Sequence, residues 1–164
     1  MNLPPRYNQV RAALKLGEVS YGSGGIKLLG ADEIERRQIG YSVAPDGKSL
    51  CSRAHGAWRS NWIVIGHETA CGDPIFVDTD EPTLPVFTAL HGESAWEPQP
   101  VAISIAVFAR AFEELARTAK GRSNPLEREN NPLSDSERDA FLRRVAELND
   151  GQFEPDFWAA LLES

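Results

Sequence analysis

Sulfur is scarce in this 164-residue sequence, which has two cysteines, Cys51 and Cys71, and one methionine. A chain of this length buries roughly 70% of its unfolded surface without covalent staples, so both thiols are expected to be free in a reducing compartment. Long apolar runs are missing too. The longest, residues 157–162, falls far short of the ~20 residues that a membrane-crossing helix needs. No basic-then-apolar leader opens the sequence, and the expectation is a soluble, cytoplasmic protein without a membrane partner.

Signatures of catalysis are equally thin. There are three histidines, His55, His67 and His91, and none stands in a His-x3-His, Cys-x2-Cys or His-Glu-x-x-His pattern. After His67-Glu68, Cys71 occupies the place of a second histidine. No Gly-x-Ser-x-Gly elbow occurs, and the glycine-rich stretch at 21–25 lacks the Gly-Lys-Ser/Thr ending of a phosphate loop. It reads as a flexible turn. No metal or other cofactor is expected. His67, Cys71, Asp73 and His91 leave open a low-weight alternative, a hydrolase or metal-dependent enzyme.

Positive charge has a gap of its own. The chain carries 17 Lys+Arg against 24 Asp+Glu, for a net charge of −7. No base lies between Arg59 and Arg110, while Glu68, Asp73, Asp78, Asp80, Glu81, Glu93 and Glu97 do, so this stretch accounts for the whole excess. Such a balance disfavours phosphate backbones, and the aromatics Trp58, Trp62, Phe76, Phe87 and Trp96 lack the basic groove that single-strand binders have. Nucleic acid is therefore not an expected partner. The acids fit either an ordinary solvated sheet surface or an acidic face that steers a basic protein.

What is present is patterned. Pro4-Pro5 opens a helix with Tyr7, Val10, Ala13 and Leu14 on one side and Arg6, Gln9, Arg11 and Lys15 elsewhere, stopped by Gly17. Residues 26–29 read as a short strand. Asp32, with Glu35 three residues on, reads as the capped start of a short helix ending at Gly40. Residues 44–61 lack periodicity and read as an irregular connection. Runs at 62–65, 75–78 and 85–90 are rich in β-branched and aromatic residues and predict an antiparallel meander, with turns at Gly72-Asp73-Pro74 and 78–82. Ser104 caps a helix with the stripe Ile105, Phe108, Phe112 and Leu115. A linker or exposed loop follows at 119–133. Ser134 and Glu137 then form a capping box before a helix facing inward through Phe141, Leu142, Val145 and Leu148. Pro155 begins a last helix whose face is Phe157, Trp158, Leu161 and Leu162, to be covered by the main domain or by a second copy in a homodimer.

The order Trp62-Ile-Val-Ile-Gly66, Gly72-Asp73-Pro74-Ile-Phe-Val-Asp78, Pro85-Val-Phe87, His91-Gly92, Trp96 and the helix from Ser104 to Leu115 resembles the SUKH superfamily, also called the Smi/Knr family. Leu3-Pro4-Pro5-Arg6-Tyr7 is similar to its Leu-Pro-x-x-Tyr helix start. The resemblance covers about residues 3–118, and the chain lacks the further helix that usually precedes that motif. It implies an α+β domain, a mostly antiparallel sheet flanked by helices, here with a C-terminal helical extension. Residues 1–118 would form this domain, 119–133 the linker and 134–164 the extension, which could replace the missing helix in packing.

The resemblance also implies a non-enzymatic role, as an immunity protein that neutralises a bacterial toxin or as a regulatory adaptor with another partner. No catalytic residue carries over. Trp62, Gly72, Asp73, Pro74, Phe76 and Trp96 are then structural: Gly72 for a tight turn, Asp73 to cap it, Phe76 and Trp62 for the core. With the acids at Glu68, Asp73, Asp78, Asp80, Glu81 and Glu93, the leading expectation is occlusion of a basic toxin domain, a nuclease, by an acidic surface.

Overall fold

Residues 3–14 and 16–163 are described by a computed structural model of the chain. Helix α1 (Pro5–Ala13) starts on proline, whose missing N–H costs nothing in the first turn. Tyr7 is buried and Val10 half-buried, but Ala13 is exposed. Gly17 does not end the helix, because Leu14 already turns to extended backbone and enters the core. Lys15 lies outside the described residues.

Among the described residues six strands pair antiparallel in chain order: β1 (Glu18–Tyr21), β2 (Gly24–Leu28), β3 (Trp62–Glu68), β4 (Pro74–Asp78), β5 (Val86–Thr88) and β6 (Gln99–Ala102). With its helices this makes an α+β fold. The three runs seen in the sequence are the middle of the sheet. The stretch at 21–25 is a tight hairpin rather than a flexible turn, since Tyr21 and Gly24 pair across Gly22 and Ser23. Gly25 has to be glycine, because a Cβ there would lie 2.2 Å from the Val19 carbonyl oxygen.

Alternation divides the sheet into two faces. Ile63, Val77 and Val86 lie side by side on one, all of them buried. That face is closed by α2 (Ile105–Thr118), whose Phe108, Phe112 and Leu115 are buried and whose cap forms as expected, Ser104 Oγ accepting the Val107 N–H at 3.1 Å. On the other face Val64, Phe76 and Phe87 lie side by side. Its cover is irregular chain.

That cover differs from the sequence reading in one place. No α-helix forms after Asp32; residues 31–35 are turns, followed by one 3₁₀ turn (Arg36–Gln38). The carboxylate that reaches back is Glu33, accepting the Gly30 N–H at 3.0 Å, which sets the chain in a turn instead of a capped helix. Gln38 then anchors the segment. Its amide nitrogen donates to the carbonyls of Ile34 (2.8 Å) and Val64 (3.0 Å), and its amide oxygen accepts the Val64 N–H at 3.0 Å. Beyond it, Trp58 is buried among Tyr41, Trp62, Phe76 and Trp96, with ring centroids 4.8–5.4 Å away.

The expected linker at 119–133 contains a helix, α3 (Pro125–Asn130), capped by Asn124 through the Glu127 N–H at 3.0 Å. Helix α4 (Asp135–Leu148) has the capping box read from the sequence, with Ser134 Oγ accepting the Glu137 N–H and the Glu137 carboxylate accepting the Ser134 N–H at 2.9 Å. In α5 (Asp156–Glu163) Trp158 is fully buried, and its indole N–H donates to the Val101 carbonyl of β6 at 3.0 Å. Rings of Phe108, Phe141 and Phe157 surround it. The apolar face of α5 is thus covered by the chain's own sheet edge and helices.

Gln38→Ala leaves the Val64 N–H and C=O without partners in the core, and the variant is expected to lose about 3 kcal/mol of unfolding free energy in urea titration. A second expectation concerns acid. The Glu137 carboxyl is held down to about 2 by the Ser134 N–H and hydroxyl and then by Arg122. Since its folded value is depressed, its contribution is complete above the ordinary glutamate range and is lost as pH falls through about 2. The protection of amides at the start of α4, taken relative to intrinsic exchange at each pH, should fall over that window and not above it.

Candidate functional site

The meander distributes the predicted acids over two ends of the sheet. Glu68 ends β3 and Asp73 precedes β4, whereas Asp78 ends β4 with Asp80 and Glu81 in the turn that follows. At about 3.3 Å per residue, Asp73 and Asp78 are about 16 Å apart along the strand direction. Glu93, past the end of β5, belongs with Asp73. The six carboxylates are two groups, not one face.

Within each group the roles differ. Glu68 accepts the N–H groups of Ala70 (2.6 Å) and Cys71 (2.7 Å), so it, and not Asp73, caps the β3–β4 turn. Gly72 provides the left-handed residue of that turn at φ +82°, its N–H donating to the Glu68 carbonyl. Asp73 ties this turn to the chain after β5, accepting the His91 N–H at 2.9 Å and facing His91 Nδ1 at 2.7 Å. Asp78 accepts from Asn61 Nδ2 at 2.6 Å and from the Asp80 N–H at 2.9 Å. Asp80, Glu81 and Glu93 are exposed, and among the described residues they form no ion pair.

The remaining motif residues are mostly core. Pro74 and Phe76 are buried, while Trp62 and Trp96 are half-buried against Trp58 and Tyr41. Two features were not legible in the charge pattern. Arg53 and Arg59, distant in sequence from the turn after β4, line the same groove as Asp80. Leu90, 52% exposed, borders a cavity of about 230 Å³ with Glu93, Ala95 and Glu97. An exposed leucine ringed by carboxylates could have been read from the pair Leu90 and Glu93 only with the return of the chain after β5 in hand.

The residues of the enzyme alternative divide as well. Asp73 and His91 form a pair in which the carboxylate orients one ring nitrogen, and Cys71 is exposed nearby. His67 lies on β3 opposite Pro74, the neighbour of Asp73, and is half-buried in a groove with Arg36, Arg37, Ile39 and Tyr41. Burial, and after it the Arg37 charge, lowers its pKa below the ordinary imidazole value; Glu33 opposes this and Lys27 adds to it. Tyr41 is pushed up by burial and then by Asp73. His55 is exposed in the irregular cover. Among the described residues no three His, Cys, Asp or Glu side chains come together as metal ligands. No helix among them is long and apolar enough to cross a membrane.

No protein-family model, no curated protein and no solved structure matches the chain.

Asp73→Ala removes the acceptor for both His91 groups. It is expected to cost about 1–2 kcal/mol in urea unfolding and to broaden the amide resonances of residues 90–94.

Proposed function

We propose that the chain is a non-enzymatic protein-binding domain of the immunity type, which neutralises a basic toxin domain, a nuclease, by covering it with carboxylates. The observation that carries this reading is the state of Asp80, Glu81 and Glu93: exposed, at turn tips, and not paired with any base of the described residues. Carboxylates held this way attract an approaching cation and raise the association rate, Asp80 less than the other two because Arg53 and Arg59 line its groove. Exposed Leu90 beside Glu93 adds an apolar contact of the sort that anchors an interface core within a polar rim. The likeness of Trp62-Ile-Val-Ile-Gly66 and Gly72-Asp73-Pro74-Ile-Phe-Val-Asp78 to the SUKH superfamily supports the same reading. On this reading the protein acts in the cytoplasm, where such a toxin would do its damage.

Glu68, Asp73 and Asp78 are then supports for the turns, and contact falls to Asp80, Glu81, Glu93 and Leu90. Binding to basic nuclease toxin domains, followed by surface plasmon resonance at low and high salt, tests this. Reversal of Asp80, Glu81 and Glu93 to Lys should slow association by about tenfold at low salt, with the difference shrinking as salt rises. Binding that survives the triple reversal unchanged overturns the electrostatic mechanism.

A further inference from the structure

The positive charge missing from residues 60–109 gathers elsewhere on the sheet. Lys27 lies opposite His67 in the β2–β3 register, so both side chains rise from the same face. The 3₁₀ turn adds Arg36 and Arg37, which with Ile39, Tyr41 and His67 line an open groove of about 510 Å³. Arg36 and Arg37 are exposed and form no ion pair among the described residues. Glu33, whose field reaches Arg36, Arg37 and Lys27, is already fixed to the Gly30 N–H. Two arginines therefore line the groove, with Lys27 beside His67 on the neighbouring strand, in a chain whose net charge is −7.

We propose that this groove binds a phosphate monoester, its phosphate held by Arg36, Arg37 and Lys27 and its organic part laid against Ile39 and Tyr41. Planar guanidinium forks match phosphate oxygens in pairs, and a dianion relieves the mutual repulsion of the three cations. Ile39, 48% exposed, and the half-buried Tyr41 ring supply the apolar wall that a free inorganic anion would not need. His67 lines the same groove. Of the acids, Asp73 reaches Tyr41 on this wall but is tied to the His91 N–H, while Asp80 and Glu81 lie at the other end of the strands, beyond the ~10 Å over which charge acts at ordinary salt. The site is independent of the carboxylates assigned to toxin binding, and either reading can fail without the other.

NMR titration of the full chain with phenyl phosphate, and in parallel with inorganic phosphate at matched ionic strength, tests the assignment. Saturable shifts are expected at His67, Ile39 and Tyr41, with phenyl phosphate the tighter ligand. The His67 imidazole, facing Lys27, Arg37 and Glu33 with Tyr41 alongside, should titrate about 1 pH unit higher when the dianion is bound. Arg36→Ala with Arg37→Ala should weaken binding by about 100-fold while leaving the rest of the amide spectrum in place. Shifts that sodium chloride reproduces, or undiminished affinity in the double variant, overturn the site. Equal affinity for the two phosphates overturns the assignment of an ester.

Discussion

One side-chain amide holds the irregular half of the molecule to the regular half. Strand β2 leaves its neighbour at Leu28, opposite Gly66, and β3 carries a register shift between Val64 and Gly66. The N–H and C=O of Val64 would face an empty lane of the sheet in the middle of the core. Gln38 fills that lane, its amide offering one donor and one acceptor as a strand residue would, while 1% exposed. Everything that follows on that face takes its position from this anchor. Tyr41 and Trp58 lie where they do because the chain leaves Gln38 over Val64, and the groove between Arg37 and His67 opens where the cover ends.

How much of this could be read from the sequence depended on how local each signal was. The caps at Ser104 and Ser134 are closed within three residues, and the helices they begin were legible. Strands β3, β4 and β5 announced themselves through β-branched and aromatic runs. β1 and β6 did not: β6 reads Gln99-Pro100-Val101-Ala102 and becomes a strand only because β5 is beside it. Asp32 and Glu35 had the spacing of a capping box, but Glu33 competed for Gly30 and won. Asn124 and Pro125 read as loop signals in a polar stretch, and they also serve to start a short helix.

The candidate site suffered more from this than the fold did. A continuous acidic stretch folded into a meander cannot stay on one side, because successive turns fall at opposite ends of the strands. Linear counting therefore gathered Asp73 with Asp78, which the sheet separates, and left out Arg53 and Arg59, which it returns to Asp80. Nor does charge reveal which carboxylates are engaged. Glu68 and Asp78 are tied to nearby backbone and amide groups, and Asp80 and Glu81 are not. The basic groove was invisible for the same reason, its members being drawn from β2, β3 and the 3₁₀ turn.

The contact between Trp158 and Val101 has a further effect beyond packing. β6 is the last strand of the sheet, and its outward carbonyl at Val101 and the following N–H of Ile103 are taken by Trp158 and Asn149. An edge whose backbone groups are occupied from within cannot template another strand. At the opposite edge β1 offers four residues, two of them the outward Glu18 and Ser20. The β6 edge is thereby guarded against edge-to-edge aggregation and against recognition by strand addition.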